Sequence, residues 1–363
     1  MNYKNLNQTN IQFLEQLAST NSPSGYEVGA AKVWQGYVSQ FAEVSGDVLN
    51  NSIGVLNSTA SFKIMIAGHY DEIGLQVMFI SKEGYIYVRR LGGIDLLSLP
   101  GSEVVILTRK GEVKGILGKI PIHVQTPTER TKAIELEDLW IDIGVDSQEE
   151  AEALVEVGDP IAIKSNFQLL GEHKVVSKGL DDKIGAFIVA EVLRILSKEN
   201  LSVGVYGVAT SQEEVGARGA ITSTFKVKPQ VGFCLDVGIA TDVPGIEERK
   251  YGKMKLGGGA SVSHSADNNT VLVRLLQDVA DINNIVYQNV ATSSATGGTD
   301  TAHMQLTHEG VATALISVPN RYMHTQVEMC DLRDVDEIIS LLVESIKHID
   351  ANKIVDFVPS HVK

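Results

Sequence analysis

Cysteine is nearly missing from this chain. Cys234 and Cys330 are the only two in 363 residues, too few and too far apart for a disulfide framework or a cysteine-based zinc module. Any metal is therefore left to histidine and carboxylate. No uninterrupted apolar run reaches the about 18 residues of a membrane-span candidate, and Met1 to Gln8 is polar instead of a charged start leading into an apolar stretch. These absences predict neither membrane span nor signal peptide, and a cytoplasmic location. A basic face is missing too: the net charge of −14 argues against nucleic acid or an anionic membrane as partner, since both are bound by displacing counterions with cationic side chains. Peptides stay compatible with it. Internal repeats and low-complexity linkers are also lacking, so the architecture has to be read from periodicity.

What is present is enough apolar material, 44% of the residues, for one large core and a second smaller unit. Ile11, Leu14 and Leu17 share a helical face, Ser22-Pro23-Ser24-Gly25 reads as a turn, and a helix restarts near Tyr26. A further helix follows Asp181 with Ile184, Phe187, Ile188, Val192, Ile195 and Leu196 as a wide apolar face, and the last carries Ile338, Ile339, Leu342 and Ile346. Between them lie short, continuously apolar runs: Ile64 to Ala67, Val203 to Ala209, Val231 to Leu235 and Val311 to Val318. Such runs suit strands covered on both faces. Their alternation with helices predicts an α/β fold with a mostly parallel central sheet flanked by helices. From about Gly74 to Ile163 the pattern changes to alternating strand candidates (Ile86 to Arg90, Val104 to Thr108, Gly115 to Ile120) with turn signals at Gly92-Gly93 and Lys110-Gly111. This segment is read as an inserted, β-rich, barrel-like domain at 74–163, between 1–73 and 164–363 of the α/β domain.

Each of the four apolar runs ends in, or leads towards, a residue type that binds metal. The first enters Gly68-His69-Tyr70-Asp71-Glu72, the second Ser211-Gln212-Glu213-Glu214, the third Asp236, and the fourth runs towards His324. Sites in open α/β sheets lie outside the carboxyl ends of the strands, so one crevice can collect all four groups. His69 and Asp71, two apart, point to one side of a strand, which lets the Asp accept the free ring N–H of a ligating His; the same pair reads equally as a buried His bonded to an Asp. Glu213 and Glu214 offer one carboxylate for a metal and one for a general base, or a solvated acidic loop. Asp181-Asp182 fits a helix cap or a carboxylate bridging two cations. Asp236, just after an apolar strand, needs a partner at that depth.

In order and combination, the landmarks Pro23-Ser24-Gly25-Tyr26-Glu27, Gly68-His69-Tyr70-Asp71-Glu72-Ile73-Gly74, Ser177-Lys178-Gly179-Leu180-Asp181-Asp182-Lys183-Ile184-Gly185, Gln212-Glu213-Glu214-Val215-Gly216, Gly297-Gly298-Thr299-Asp300 and Arg321-Tyr322-Met323-His324-Thr325-Gln326-Val327-Glu328 resemble the M42 family of metallo-aminopeptidases over nearly the whole length. The resemblance implies two divalent metal ions, zinc or cobalt. His69, Asp181 and Asp236 would hold one ion, and Asp181, Glu214 and His324 the other, with Asp181 bridging. Glu213 would be the general base and Asp71 would orient His69. It implies further that the substrates are short peptides, that 74–163 mediates dimerisation, and that the dimers build a homo-oligomer, a hollow tetrahedral dodecamer. This sequence departs from the family pattern at Tyr70, where Met is common, at Lys183, where Arg is common, and at Gln326, where Pro is usual; none removes a ligand, and Gln326 bears on the loop that positions His324.

The implied chemistry stands on general grounds. Two cations about 3.5 to 4 Å apart acidify a shared water towards a pKa of about 7 and stabilise the oxyanion of a tetrahedral intermediate, while Glu213 moves the proton to the leaving amine. A related dinuclear amidohydrolase or carboxypeptidase would use the same ligands, and a glycosidase would normally need two carboxylates and no metal. Gly257-Gly258-Gly259 is read as a turn, because no Walker-type Lys-Ser/Thr follows it. Cys234 is read as core, and His264, His303 and His308 as surface or supporting groups.

Overall fold

The computed structural model describes residues 3–291, 295–296, 298–352 and 356–359, and in it the four apolar runs are neighbours. They form the middle of an eight-stranded sheet in the order Glu43–Gly46, Ser52–Leu56, Gly204–Thr210, Lys63–His69, Val231–Ile239, Ala312–Asn320, Ala260–His264, Tyr287–Ala291. The central four are parallel, and antiparallel pairings flank them at Ser52–Leu56 and Ala260–His264. Ile64, Met65, Ile66 and Ala67 are all fully buried. A parallel strand covered on both faces has no solvent side on which to alternate polar residues.

Helix Leu180–Leu196 is buried almost throughout, as expected where the apolar positions run all round the helix. It packs between Gln8–Ser19 and Leu332–Asn352. The first of these starts at Asn7, whose side chain accepts from the N–H groups of Thr9 and Asn10 and so satisfies donors left over at a helix start. Asp334, in the first turn of the last helix, accepts from the N–H groups of Gly257 and Gly259, so the triple-glycine turn is an anchor for that helix.

The segment with alternating pattern folds into a closed barrel of six strands, Gly74–Ile80, Ile86–Leu91, Leu139–Asp142, Gly111–Lys119, Glu103–Thr108 and Pro160–Ile163 in that order round the ring. It has a core of its own that includes Leu75, Val88, Ile106, Leu117, Ile141 and Ile161. Closure removes the free edges that a small open sheet would expose. The fold is thus mixed α/β with an inserted barrel.

One element has no counterpart in the sequence pattern. Gln168–Leu170, Lys174–Ser177 and Glu328–Asp331 form a small antiparallel sheet, none of whose strands the periodicity singled out. Its outer strand is exposed, and the pairing joins residues about 150 positions apart, which local periodicity does not report. In this sheet Ser177 pairs with Glu328, which brings Glu328 to the start of the buried helix. Among the described residues no helix is long and apolar enough to cross a membrane.

Candidate metal centre

The carboxyl ends of the central strands deliver the side chains that the spacing singled out. His69 is the last residue of Lys63–His69, Asp236 lies towards the end of Val231–Ile239, and Glu213 and Glu214 follow Gly204–Thr210. Asp181 sits at the start of the buried helix, where the backbone has not yet become helical. His324 comes from the loop between Ala312–Asn320 and Glu328–Asp331. Strand and helix meet closely at Gly68, where a Cβ would lie 2.6 Å from the backbone of Gly185; only glycine permits this approach, which sets Asp181 beside His69.

All five candidate ligands converge in two overlapping groups. In the first, the ligand atoms of His69, Asp181 and Asp236 lie within 4.8 Å of one another, and in the second those of Asp181, Glu214 and His324 do. Asp181 belongs to both. Its Oδ1 is 3.2 Å from His69 Nε2 and its Oδ2 is 3.2 Å from His324 Nε2. Asp236 Oδ1 is 3.8 Å from His69 Nε2, and Glu214 Oε2 is 3.7 Å from His324 Nε2. Donors about 2.1 Å from one tetrahedral ion stand about 3.4 Å apart, so these separations fit a divalent cation in each group. Glu214 Oε1 is buried with no hydrogen-bond partner, and a bare buried carboxylate oxygen calls for a cation. Glu213 Oε2 stands 3.9 Å from His69 Nε2, beside the first group without belonging to it.

At Asp71 the supporting contacts go beyond the single expected one. His69 Nδ1 is 3.1 Å from the Asp71 backbone oxygen and 3.4 Å from its carboxylate, because the strand has ended and the chain has turned. The carboxylate itself accepts from Ser24 Oγ and from the N–H groups of Glu213 and Glu214. It therefore holds the acidic pair as well as facing the imidazole. Other supports went unassigned in the sequence. Glu328 accepts from the N–H of Asp181 and from the N–H of His324, each at 2.9 Å. Asp182 accepts from the His69 N–H, and His324 Nδ1 is 2.7 Å from the carbonyl oxygen of Gly93, which leaves Nε2 to face Asp181. His324 has φ of +61°, a left-handed conformation uncommon for a side-chain-bearing residue. Deeper still, Glu72 pairs with Lys178 at 2.6 Å and Lys183 at 2.8 Å. Glu72 and Glu328 both stand inside the motifs quoted above, which was the available signal, but no spacing rule gave them a role.

The M42 glutamyl aminopeptidase family pattern matches residues 50–341. Lysyl aminopeptidase of Pyrococcus furiosus is 34% identical over 348 residues, covering 93% of this chain and 98% of that protein. This chain belongs to the M42 family. A TET aminopeptidase from the marine sediment archaeon Thaumarchaeota archaeon SCGC AB-539-E09 superimposes with a TM-score of 0.90 at 36% identity, covering 95% of this chain and 97% of that one. Pyrococcus horikoshii TET1 peptidase does so with a TM-score of 0.83 at 31% identity, covering 92% and 98%. The M42 chain described here is accordingly a peptide hydrolase of the aminopeptidase type.

Electrostatics in this M42 site follow from crowding acids in a buried place. Burial, with Asp182 and Asp181 close by, pushes Asp236 well above the usual carboxylate range. Burial and the charge of Asp181 do the same to Glu214 and Glu328, and burial carries Glu213 to about 9 and Asp300 to about 6. The opposite holds for Asp181: burial would raise it, but His324 and His69 pull it below its ordinary value. His324, bonded to Asp181, rises to about 10, and His69 is held high by Asp181 and Asp71 against the effect of burial. The protein alone thus keeps protons on groups that a cation would need bare. Glu72 is different: its two ammonium partners outweigh burial and hold it below its ordinary value, while burial brings Lys183 down to about 8 against the pull of Glu72.

A cavity of about 710 Å³ opens over the centre and is lined by Asp181, Glu213, Glu214, Asp236 and His324 among others. Gly298 and Thr299 line it as well; Gly297 of that motif lies outside the described residues, and Asp300 is buried, with Thr210 Oγ1 donating to it at 2.6 Å. His303 also lines the cavity. His264 bonds to Asn289 and His308 stacks on Phe225, away from the centre. Cys234 is core.

Proposed function

We propose that this chain is a dinuclear metallo-aminopeptidase that removes the N-terminal residue from short peptides. His69, Asp181 and Asp236 hold one divalent cation, and Asp181, Glu214 and His324 hold the second, zinc or cobalt being suited to a mixed imidazole and carboxylate set. The observation that carries this reading is Asp181, one carboxylate offering an oxygen to each group at 3.2 Å from the neighbouring imidazole. Bound divalent cations supply Lewis acidity to the scissile carbonyl and acidify water.

The protein's own residues do the rest. Glu213 lines the cavity beside the first group, takes the proton from water, and returns it to the leaving amine. Positive charge nearby favours its ionised form, offsetting the burial that raises it. Asp71 fixes where Glu213 and Glu214 stand by accepting their N–H groups, and Glu328 ties Asp181 to His324. Likeness to the Pyrococcus horikoshii peptidase, which can assemble into a tetrahedron or a large octahedral shell, supports a homo-oligomer, with 74–163 as its dimerisation domain.

The test is hydrolysis of aminoacyl-4-nitroanilides before and after chelation, with zinc, cobalt or manganese returned. Turnover should vanish on chelation and recover with metal. Glu213→Gln should keep its metal content and lose about 10²- to 10⁴-fold in rate. Undiminished hydrolysis by enzyme freed of metal would refute the proposal.

A further inference from the structure

The cavity continues past the centre along the sheet, and its lining there is uncharged. Asp236 is in register with Ser317, which is in register with Ser261 on the next strand. Side chains alternate along a strand, so Leu315 and Ser263, two residues from that row, present themselves on the face that carries Asp236. Both line the cavity, as does Ser317. The deeper wall is apolar: Met254, Val290 and Leu315 are at most 5% exposed and all line the cavity. Met254 is seated by Gly238, where a Cβ would stand 2.6 Å from its methyl carbon. A thioether in such a wall adapts to unbranched and branched aliphatic partners alike.

Charge is confined to the centre itself. The carboxylates in the lining are Asp181, Glu213, Glu214 and Asp236, and no Lys or Arg is among the described lining residues. His303, the remaining imidazole besides His324, is exposed. The sequence from 292 to 299 contains Thr, Ser, Ala and Gly only, so it adds no charge either.

Resting on the aminopeptidase reading, we infer that this recess receives the side chain of the substrate's N-terminal residue and selects uncharged, apolar ones such as Leu and Met. The side chain of an N-terminal residue branches from the atom between the amine and the scissile carbonyl, so it must leave the centre along an adjoining wall. An acidic side chain would enter without a cationic partner. A basic one would find only carboxylates already committed to the centre. Burying either charge unpaired is costly, whereas an aliphatic group gains from leaving water. By this reasoning the specificity of the lysyl aminopeptidase relative is not shared.

Metal-loaded enzyme assayed with the 4-nitroanilides of Leu, Met, Ala, Glu and Lys decides the matter. Leu and Met should exceed Glu and Lys at least tenfold in kcat/KM. Met254→Glu, compared with Met254→Gln as its neutral control, should move the Leu-to-Lys ratio at least threefold towards Lys, with metal content and circular dichroism unchanged. Turnover with Glu or Lys preferred would overturn this inference and leave the aminopeptidase reading standing. No turnover of any member, with metal bound, would overturn both. An unmoved ratio in a folded Met254→Glu enzyme would overturn the placement of the recess.

Discussion

Replacing Glu328 by Gln separates the proposed centre from its scaffold without touching a candidate ligand. Glu328 spends its two oxygens on two different backbone donors, Asp181 N–H and His324 N–H, both at 2.9 Å. Gln has one acceptor oxygen, so one of those donors would meet an NH₂ group instead. Glu328 is almost wholly buried, and water cannot make up the loss. Leaving a buried donor without its acceptor costs about 1 to 3 kcal/mol, and each 1.4 kcal/mol or so is worth tenfold in a binding constant. Cation retention should therefore weaken about 10- to 100-fold, the range typical of residues that orient ligands. The assay is competition for zinc with a chromophoric chelator, with circular dichroism to confirm folding and 4-nitroanilide hydrolysis at saturating zinc. At saturation most of the rate should return, because the ligands and Glu213 are intact. Glu328→Asp, one methylene short of spanning both donors, should behave similarly. If Glu328→Gln held zinc as tightly as the unaltered chain, the idea that Glu328 aligns Asp181 with His324 would be wrong.

Three other outcomes are expected. Glu72→Gln would leave the ammonium groups of Lys178 and Lys183 buried without a counter-charge, a loss of about 3 to 5 kcal/mol that lowers Tm by about 4 to 7 °C given the unfolding entropy of a chain this long; an unchanged melting curve would contradict it. Because the folded pKa of Glu72 lies below its ordinary value of 4.5, its stabilisation is present above that pH and lost as pH falls through the folded value, so acid should cost the unaltered chain more Tm than it costs Glu72→Gln. Zinc binding should expel protons, since His69 and His324 hold theirs above the usual imidazole value and Glu214 and Asp236 above the usual carboxylate value; apparent affinity should climb from pH 6 to 9, and calorimetry in buffers of different ionisation enthalpy would detect the release or its lack. Gln326→Ala should cost about 1 to 2 kcal/mol in stability and loosen cation retention through His324, because the Gln326 amide donates to Ser98 O and Ser102 Oγ; equal chelator resistance would show that this tie does not reach the centre.

The sequence disclosed what is local. Ile64 to Ala67 reads as a covered strand because burial on both faces leaves no polar alternation, and His69, Glu213, Glu214 and Asp236 were visible as acids and an imidazole at strand ends. Parallel order places the strand ends that carry His69, Glu214 and Asp236 on one rim, while Asp181 joins them from a helix start and His324 from a loop. Glu72 with its two lysines was hidden, since partners more than 100 residues apart obey no spacing rule. The same holds for Glu328, whose placement depends on a short strand pairing. Asp71 shows a third kind of limit: the two-residue spacing put it next to His69, where its carboxylate does face the ring, but gave no sign that its backbone carbonyl would also reach the ring or that the carboxylate would accept from Ser24, Glu213 and Glu214.

The carbonyl of Gly93 lies between two strands of the inserted barrel and is 2.7 Å from His324 Nδ1. A chain relieved of its insertion would still carry every proposed ligand, yet one imidazole would have lost its tether and with it the tautomer that points Nε2 inward. The barrel is therefore structural hardware of the proposed centre, and any movement of it would be felt at that ring.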